Sequence, residues 1–199
     1  MPRSAEIHRK TKETSVDFRI DLDGAPSGNS FGTGVPFFDH MLDAAFRHGR
    51  ISAVLAAKGD LEIDAHHTLE DTGLAIGQAI KAALGDKTGI RRFGEATIPL
   101  DEALARVVID LSGRPHLSWR CAFPEATAGG VSHQLFHEFF QALANAGGLT
   151  IHVDLIAGNE NHHCLEAIFK AFGRALRQAV ARDPEMAPEE TPSTKGVLE

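Results

Sequence analysis

The chain has 199 residues, 43% of them apolar, which is enough for one or two packed domains. Its net charge of −7 argues against a general nucleic-acid surface, so an anionic substrate has to be met by locally placed Arg and Lys. Two cysteines cannot build a disulfide framework, and no apolar run reaches the ~18 residues of a membrane span or forms a leader core, so a reduced, cytoplasmic setting without membrane contact is expected.

Residues 5–24 read as two strands joined by the polar turn Arg9-Lys10-Thr11-Lys12-Glu13-Thr14. Val16, Phe18, Ile20 and Leu22 alternate with charged residues, giving one wet face. A loop through Pro26 and Gly28 leads to a short helix over 37–48, stopped by Gly49. Residues 51–57 and the alternating 61–64 are expected as strands. A long helix over 67–84 follows, with Leu69, Ala75, Ile76, Ala79, Ile80 and Ala83 as its apolar stripe.

The second half replays this order. Residues 96–100 and 107–113 are strands, the latter echoing 18–24 at an offset of 89. Residues 133–146 are a helix that lays His137 on His40 at an offset of 97. Residues 149–156 are a strand and 162–182 a helix. The drift in offset places about eight extra residues in the loop that contains 124–130. The expected class is α+β: a β-β-α-β-α unit used twice, with helices packed between or against two sheets. The first half-domain would span 1–90 and the second 91–182. The tail, 183–199, holds three of the nine prolines and is expected to be flexible.

Eleven histidines are the compositional oddity, and two doublets organise them. His66-His67-Thr68-Leu69-Glu70 and His162-His163-Cys164-Leu165-Glu166 repeat at an offset of 96, each opening a long helix. Neighbours on a helix point ~100° apart, whereas i, i+3 and i+4 share a face. His66 and His67 therefore do not readily serve one ion, while Glu70 can join either. Two doublets, two glutamates and the matched His40 and His137 make eight ligands: His40, His66, His67, Glu70, His137, His162, His163 and Glu166. Over two ions that is three imidazoles and one carboxylate each, a set that suits several divalent metals. Cys164 aligns with Thr68 and reads as packing. His133 ranks below the others because the first half has Pro36 in its place. His8, His116 and His152 read as solvated or core residues.

Thr11-Lys12-Glu13-Thr14, Phe38-Asp39-His40-Met41-Leu42, both His-His strings, Asp110-Leu111-Ser112-Gly113-Arg114-Pro115 and the ending Pro192-Ser193-Thr194-Lys195-Gly196-Val197-Leu198 resemble imidazoleglycerol-phosphate dehydratase, in order and from end to end. The resemblance implies a hydro-lyase of histidine biosynthesis (EC 4.2.1.19) that dehydrates imidazole glycerol phosphate to imidazole acetol phosphate through a metal-bound imidazolate. It also implies two Mn²⁺ per active site and a homo-oligomer, a hollow 24-mer of trimers with sites shared between subunits. Glu13 resembles the family's catalytic carboxylate, with Glu70 and Glu166 as further proton carriers. Glu13 and His40 are also expected to contact substrate. Arg92, Arg114, Lys170, Ser193 and Lys195 match phosphate-binding positions, and the tail is expected to close over the site as a lid. Where the family often carries a Gln, this chain has Ala44 and Ala45, a departure that bears on a substrate contact from that helix. Two competing readings are a protein in which metals serve only as staples, and another di-metal hydrolase or lyase acting on a small phosphorylated substrate.

Overall fold

The computed structural model describes residues 3–198. The first half begins with β1 (Ser4–Lys10) and β2 (Thr14–Asp21), an antiparallel hairpin in register from Ser4 opposite Asp21 to Lys10 opposite Ser15. A short strand β3 (Ser30–Gly32), helix α1 (Pro36–Gly49), strand β4 (Ser52–Gly59) and helix α2 (His66–Leu84) complete it. The second half runs β5 (Phe93–Leu100), β6 (Ala103–Asp110), β7 (His116–Arg120), the small hairpin β8 (Thr127–Ala128) and β9 (Val131–Ser132), α3 (His133–Gly147), β10 (Thr150–Ala157) and α4 (Asn161–Val180).

Each half builds one four-stranded sheet, ordered β1-β2-β4-β3 and β5-β6-β10-β7. Both repeats thus hold the expected β-β-α-β-α order; the first adds β3, and the second adds β7 and the β8–β9 hairpin, strands that periodicity did not reveal. β3 and β7 each lie parallel to the strand after the first helix, β4 and β10. β3 has three residues with only Phe31 packed on the core, and β7, although Leu117 and Trp119 alternate onto the core, has only five. The expected strand over 61–64 is instead a turn. Ile63 there is 70% exposed, so its alternation marks no buried face.

Alternation places Val16, Phe18 and Ile20 of β2, and Ala105, Val107 and Ile109 of β6, on the buried face of each sheet. α2 covers β1 and β2 while α4 covers β5 and β6, and the helices then pair across the halves, α2 with α3 and α1 with α4. A cluster of Phe38, Phe136, Phe139, Phe140, Phe169 and Phe172 fills the junction in edge-on and stacked pairs.

The pairing is unusually close because the repeat keeps a glycine eleven residues after each leading histidine. A Cβ on Gly77 would strike the Leu143 carbonyl and the Gly147 nitrogen of α3, and one on Gly173 would strike the Ala45 carbonyl of α1. Backbone meets backbone at these points, so each His-His helix is held against the helix that carries His40 or His137 in the other half. Ala45 lies in that α1–α4 contact, and Ala44 is buried as well.

Candidate metal centre and phosphate pocket

Both doublets sit at helix N-termini where a carboxylate accepts from the opening amides; Glu160 is the N-cap of α4, and Asp64 directly precedes Ala65, the N-cap of α2. Asp64 Oδ1 accepts from the His66 amide at 2.7 Å, and Glu160 accepts from the amides of His162 and His163, both at 2.9 Å. A negative cap satisfies donors left open by the helix and suits the positive end of its dipole. Asp64 and Glu160 are themselves 96 residues apart, so the cap was copied with the histidines.

The first turn of α4 and the middle of α1 converge. His162 Nε2 lies 3.2 Å from Glu166 Oε2, and His40 Nε2 lies 3.3 Å from the same oxygen. Ligand atoms of these three residues all fall within 4.8 Å of one another. Phe37 sets the His162 ring from one side, with centroids 5.1 Å apart and nearly perpendicular. Lys170 Nζ holds the other oxygen, Oε1 of Glu166, at 2.7 Å. Burial alone would raise the Glu166 carboxyl, but Lys170 and then His40 outweigh it and hold the group below the usual carboxylate range. The carboxylate is therefore ionised, as a ligand requires.

The matching group in the first doublet is looser. His66 Nε2 and Glu70 Oε2 are 3.7 Å apart. His137 is on α3, the partner of α2, but its Nδ1 is turned to Glu138 Oε1 at 3.2 Å and it lines a small cavity with Trp119 and His133.

Within each doublet the rings are nearly perpendicular, 90° for His66 and His67 and 79° for His162 and His163. The second histidine of each is fixed by a carboxylate that sequence reasoning did not single out. His67 Nδ1 lies 3.0 Å from Asp60 Oδ2, and His163 Nδ1 lies 2.8 Å from Glu102 Oε2. In both, the carboxylate hydrogen bond is the main cause that lifts the imidazole above its ordinary range. A carboxylate on Nδ1 fixes the tautomer and leaves Nε2 free to ligate. Glu102 stands 89 residues after Glu13, the offset of the strand repeat, so the duplication contained a signal for it.

Glu13 is half exposed at the tip of the β1–β2 hairpin, with Oε2 3.9 Å from His67 Nε2. Its loop is tied down from below. Thr11 Oγ1 accepts from the Glu13 and Thr14 amides at 3.1 and 2.9 Å, and the Thr14 hydroxyl donates to buried Asp71, which also pairs with Arg9 at 2.8 Å. Asp71 directly follows Glu70 on α2, so helix and hairpin move as one unit.

Four of the expected phosphate residues meet elsewhere. Arg92, Arg114, Ser193 and Lys195 line one cavity of about 350 Å³ with Thr194, Val197 and Leu198. Arg92 has left-handed backbone (φ 68°), forks onto Asp110 at 2.7 and 3.1 Å, and donates to the Pro192 carbonyl at 2.8 Å. The tail is thereby laid over this arginine. Lys170 does not line the cavity, and its charge is spent on Glu166.

Cys164 is fully buried and burial pushes its thiol up, so it packs and offers no thiolate. His133 stacks on Phe123, and His8 is exposed beside Asp17. His116 and His152 lie ring by ring on neighbouring strands.

A sequence model of the imidazoleglycerol-phosphate dehydratase family matches residues 33–176. The chain belongs to this family. It is 55% identical over 196 residues to the imidazoleglycerol-phosphate dehydratase of Thioalkalivibrio sulfidiphilus, covering 98% of both chains. The relative from Thiobacillus denitrificans is also 55% identical, with 98% of this chain and 100% of that one covered. Among solved structures, imidazoleglycerol-phosphate dehydratase from Staphylococcus aureus superposes with a TM-score of 0.81 at 39% identity, over 90% of this chain and 99% of that one. The Pyrococcus furiosus enzyme in complex with (S)-C348 superposes at 0.83 with 34% identity, over 96% and 100%. Family membership removes the reading in which metals would be staples alone.

Proposed function

We propose that this chain dehydrates imidazole glycerol phosphate to imidazole acetol phosphate in histidine biosynthesis. The observation that carries the reading is the convergence of His40, His162 and Glu166 across α1 and α4, in a chain that matches dehydratases along its whole length. Two imidazole nitrogens and an ionised carboxylate, with no thiolate among them, fit a divalent cation of the Mn²⁺ class. His40, His162 and Glu166 would hold one ion, and His66, Glu70 and His137 a second. Each of these groups has two imidazoles, one short of the expected three. His67 and His163 point off the shared face, so they are the third imidazoles offered to sites completed between copies in a homo-oligomer, which the resemblance makes a 24-mer of trimers working in the cytoplasm.

When bound, the ions supply Lewis acidity that makes the substrate's azole ring a better electron donor toward the adjacent carbon. Glu13 takes the proton from the neighbouring carbon and delivers one to the departing hydroxyl. The C–O bond breaks with loss of water, and the enol that remains tautomerises to the ketone. Glu70 and Glu166 are the secondary proton carriers. Arg92 and Arg114 bring guanidinium groups to the phosphate, Ser193 a hydroxyl and Lys195 a point charge, while Lys170 stays on Glu166. The tail, 183–199, closes over the phosphate as a lid. Among the described residues no helix is long and apolar enough to cross a membrane, and the chain is acidic.

The test is imidazole acetol phosphate formation by chelated protein as Mn²⁺ is added back, with Glu13→Gln alongside. Activity should return with metal in the parent, while Glu13→Gln should bind as much metal and lose about 10²–10⁴-fold in kcat. Full turnover by Glu13→Gln would remove Glu13 from the mechanism.

A further inference from the structure

A cavity of about 510 Å³ belongs to neither the metal ligands nor the phosphate pocket. Four arginines line it: Arg50, Arg91, Arg174 and Arg177. The one acidic residue in its wall, Glu95, is already paired with Arg106 at 2.9 Å on the outer side of the strand. Arg177 donates to the Leu22 carbonyl at 2.8 Å. Among the described residues, the guanidinium groups of the other three have no hydrogen-bond or ion-pair partner.

An acidic protein gains nothing from gathering four guanidinium groups unless something negative offsets their repulsion. The cationic forks come from three separate elements, so the concentration is not one helix face in solvent. Arg174 and Arg177 are i and i+3 on α4. Arg50 caps α1 in the left-handed region, at φ 52°, a conformation that side-chain-bearing residues rarely adopt. Arg91 is pinned by its amide to the Ala181 carbonyl at 2.9 Å, which fixes it over the cleft. His48 completes the wall. Burial, and then the nearby charge of Lys170, keeps its imidazole below the ordinary range, so at pH 7 it is a neutral hydrogen-bonding group. Arg91 and Arg92 are consecutive yet line different cavities, because the left-handed turn at Arg92 sends the two side chains to opposite sides of the chain.

We infer that this cleft is a second anion site, separate from the Arg92–Arg114 pocket, that takes a small polyanion carrying two or more phosphoryl groups. Several fixed forks in a concave wall recognise neighbouring phosphoryl oxygens bidentately, which a single chloride or carboxylate would not satisfy. This cleft shares no residue with the metal ligands, and its positive charge comes from its arginines alone.

The test uses the metal-loaded full-length protein, with inorganic phosphate and inorganic pyrophosphate as probes in equilibrium dialysis at about 0.15 M salt. Pyrophosphate should bind saturably and more tightly than phosphate. The double variant Arg91→Gln/Arg174→Gln should weaken pyrophosphate binding at least about tenfold, and Arg114→Gln should leave it in place. The double variant should still form imidazole acetol phosphate at the parental rate when no polyanion is added, which also reports that it is folded. If it is not folded, Arg91→Gln alone gives the same comparison with a smaller loss. The inference is overturned by an absence of saturable pyrophosphate binding or by binding that ignores both arginine substitutions. It is overturned equally by loss on Arg114→Gln alone, or by dissociation of the oligomer in the Arg91→Gln/Arg174→Gln protein, which would make the cleft a subunit contact.

Discussion

Gly173→Ala is the sharpest perturbation of the link between fold and metal site. Its new methyl would occupy the place of the Ala45 carbonyl on α1, and the reciprocal position, Gly49, has only 2.8 Å between a Cβ and the Gly173 carbonyl oxygen. On propensity alone the change favours α4 by about 1 kcal/mol. Overpacking costs about 1–3 kcal/mol, and the upper end applies here because the obstacle is helix backbone, which cannot rotate aside as a side chain can. The net expectation is a loss of about 1–2 kcal/mol. The clash is relieved by moving α1 away from α4, on the order of 1 Å. His40 rides on α1, while His162 and Glu166 ride on α4, so the ligand cluster opens by a comparable amount. Metal–ligand distances tolerate only about 0.2 Å. Urea unfolding should therefore show a lower midpoint at unchanged slope, and metal content after dialysis should fall. Gly77→Ala should do the same to the α2–α3 contact and the first doublet. A Gly173→Ala protein as stable as the parent, with its metal retained, would refute the idea that backbone contact sets the ligand geometry.

Glu102→Ala should release the His163 ring and lower metal affinity by about 10–100-fold with little change in stability, read by competition with a chromogenic chelator; unchanged affinity would show that the 2.8 Å contact orients nothing. Metal binding should weaken on acidification, because Asp60 and Glu102 raise the affinity of His67 and His163 for protons that the ion must displace. Both groups are raised, so the loss should begin above the ordinary imidazole value of about 6.5, at about tenfold per pH unit for each proton displaced; calorimetric titrations from pH 6 to 8 that give one constant value would contradict this. Truncation at Thr191 removes Ser193 and Lys195 from the cavity shared with Arg92 and Arg114, so KM for substrate should rise at least about tenfold while metal content stays the same; an unchanged KM would dismiss the tail as a lid.

The duplication was legible because it preserved chemistry at fixed spacing, down to the helix stripes that place α2 and α4. Contacts between elements were not. β3 has only three residues and shows no period, β7 alternates over no more than five, and the alternating 61–64 stretch mimics a strand although its Ile63 faces solvent. Asp60 and Asp71 look like ordinary solvated acids in sequence, yet one orients His67 and the other anchors the Glu13 hairpin. The split of Lys170 from the two arginines was equally unreadable, since an i,i+4 partner to Glu166 and a phosphate ligand have the same spacing. Glu102 and the Asp64–Glu160 caps were within reach, because both obey the repeat offsets.

The two copies also differ in the connection that leads into each His-His helix. In the second half, α4 starts four residues after the end of β10, and Glu102 on the β5–β6 hairpin is the nearest carboxylate to His163 Nδ1. The first half has a longer connection between β4 and α2, which brings Asp60 to the same nitrogen of His67. Asp60 thereby does in one half what the hairpin glutamate does in the other. Glu13, relieved of holding an imidazole, lies on the Nε2 side of His67, at the distance of a non-bonded neighbour and half open to solvent. A carboxylate that must take and return protons cannot also be committed to fixing a ring. Under the proposed mechanism, one extended loop in one copy is enough to free Glu13 from orienting an imidazole and leave it available as the acid–base.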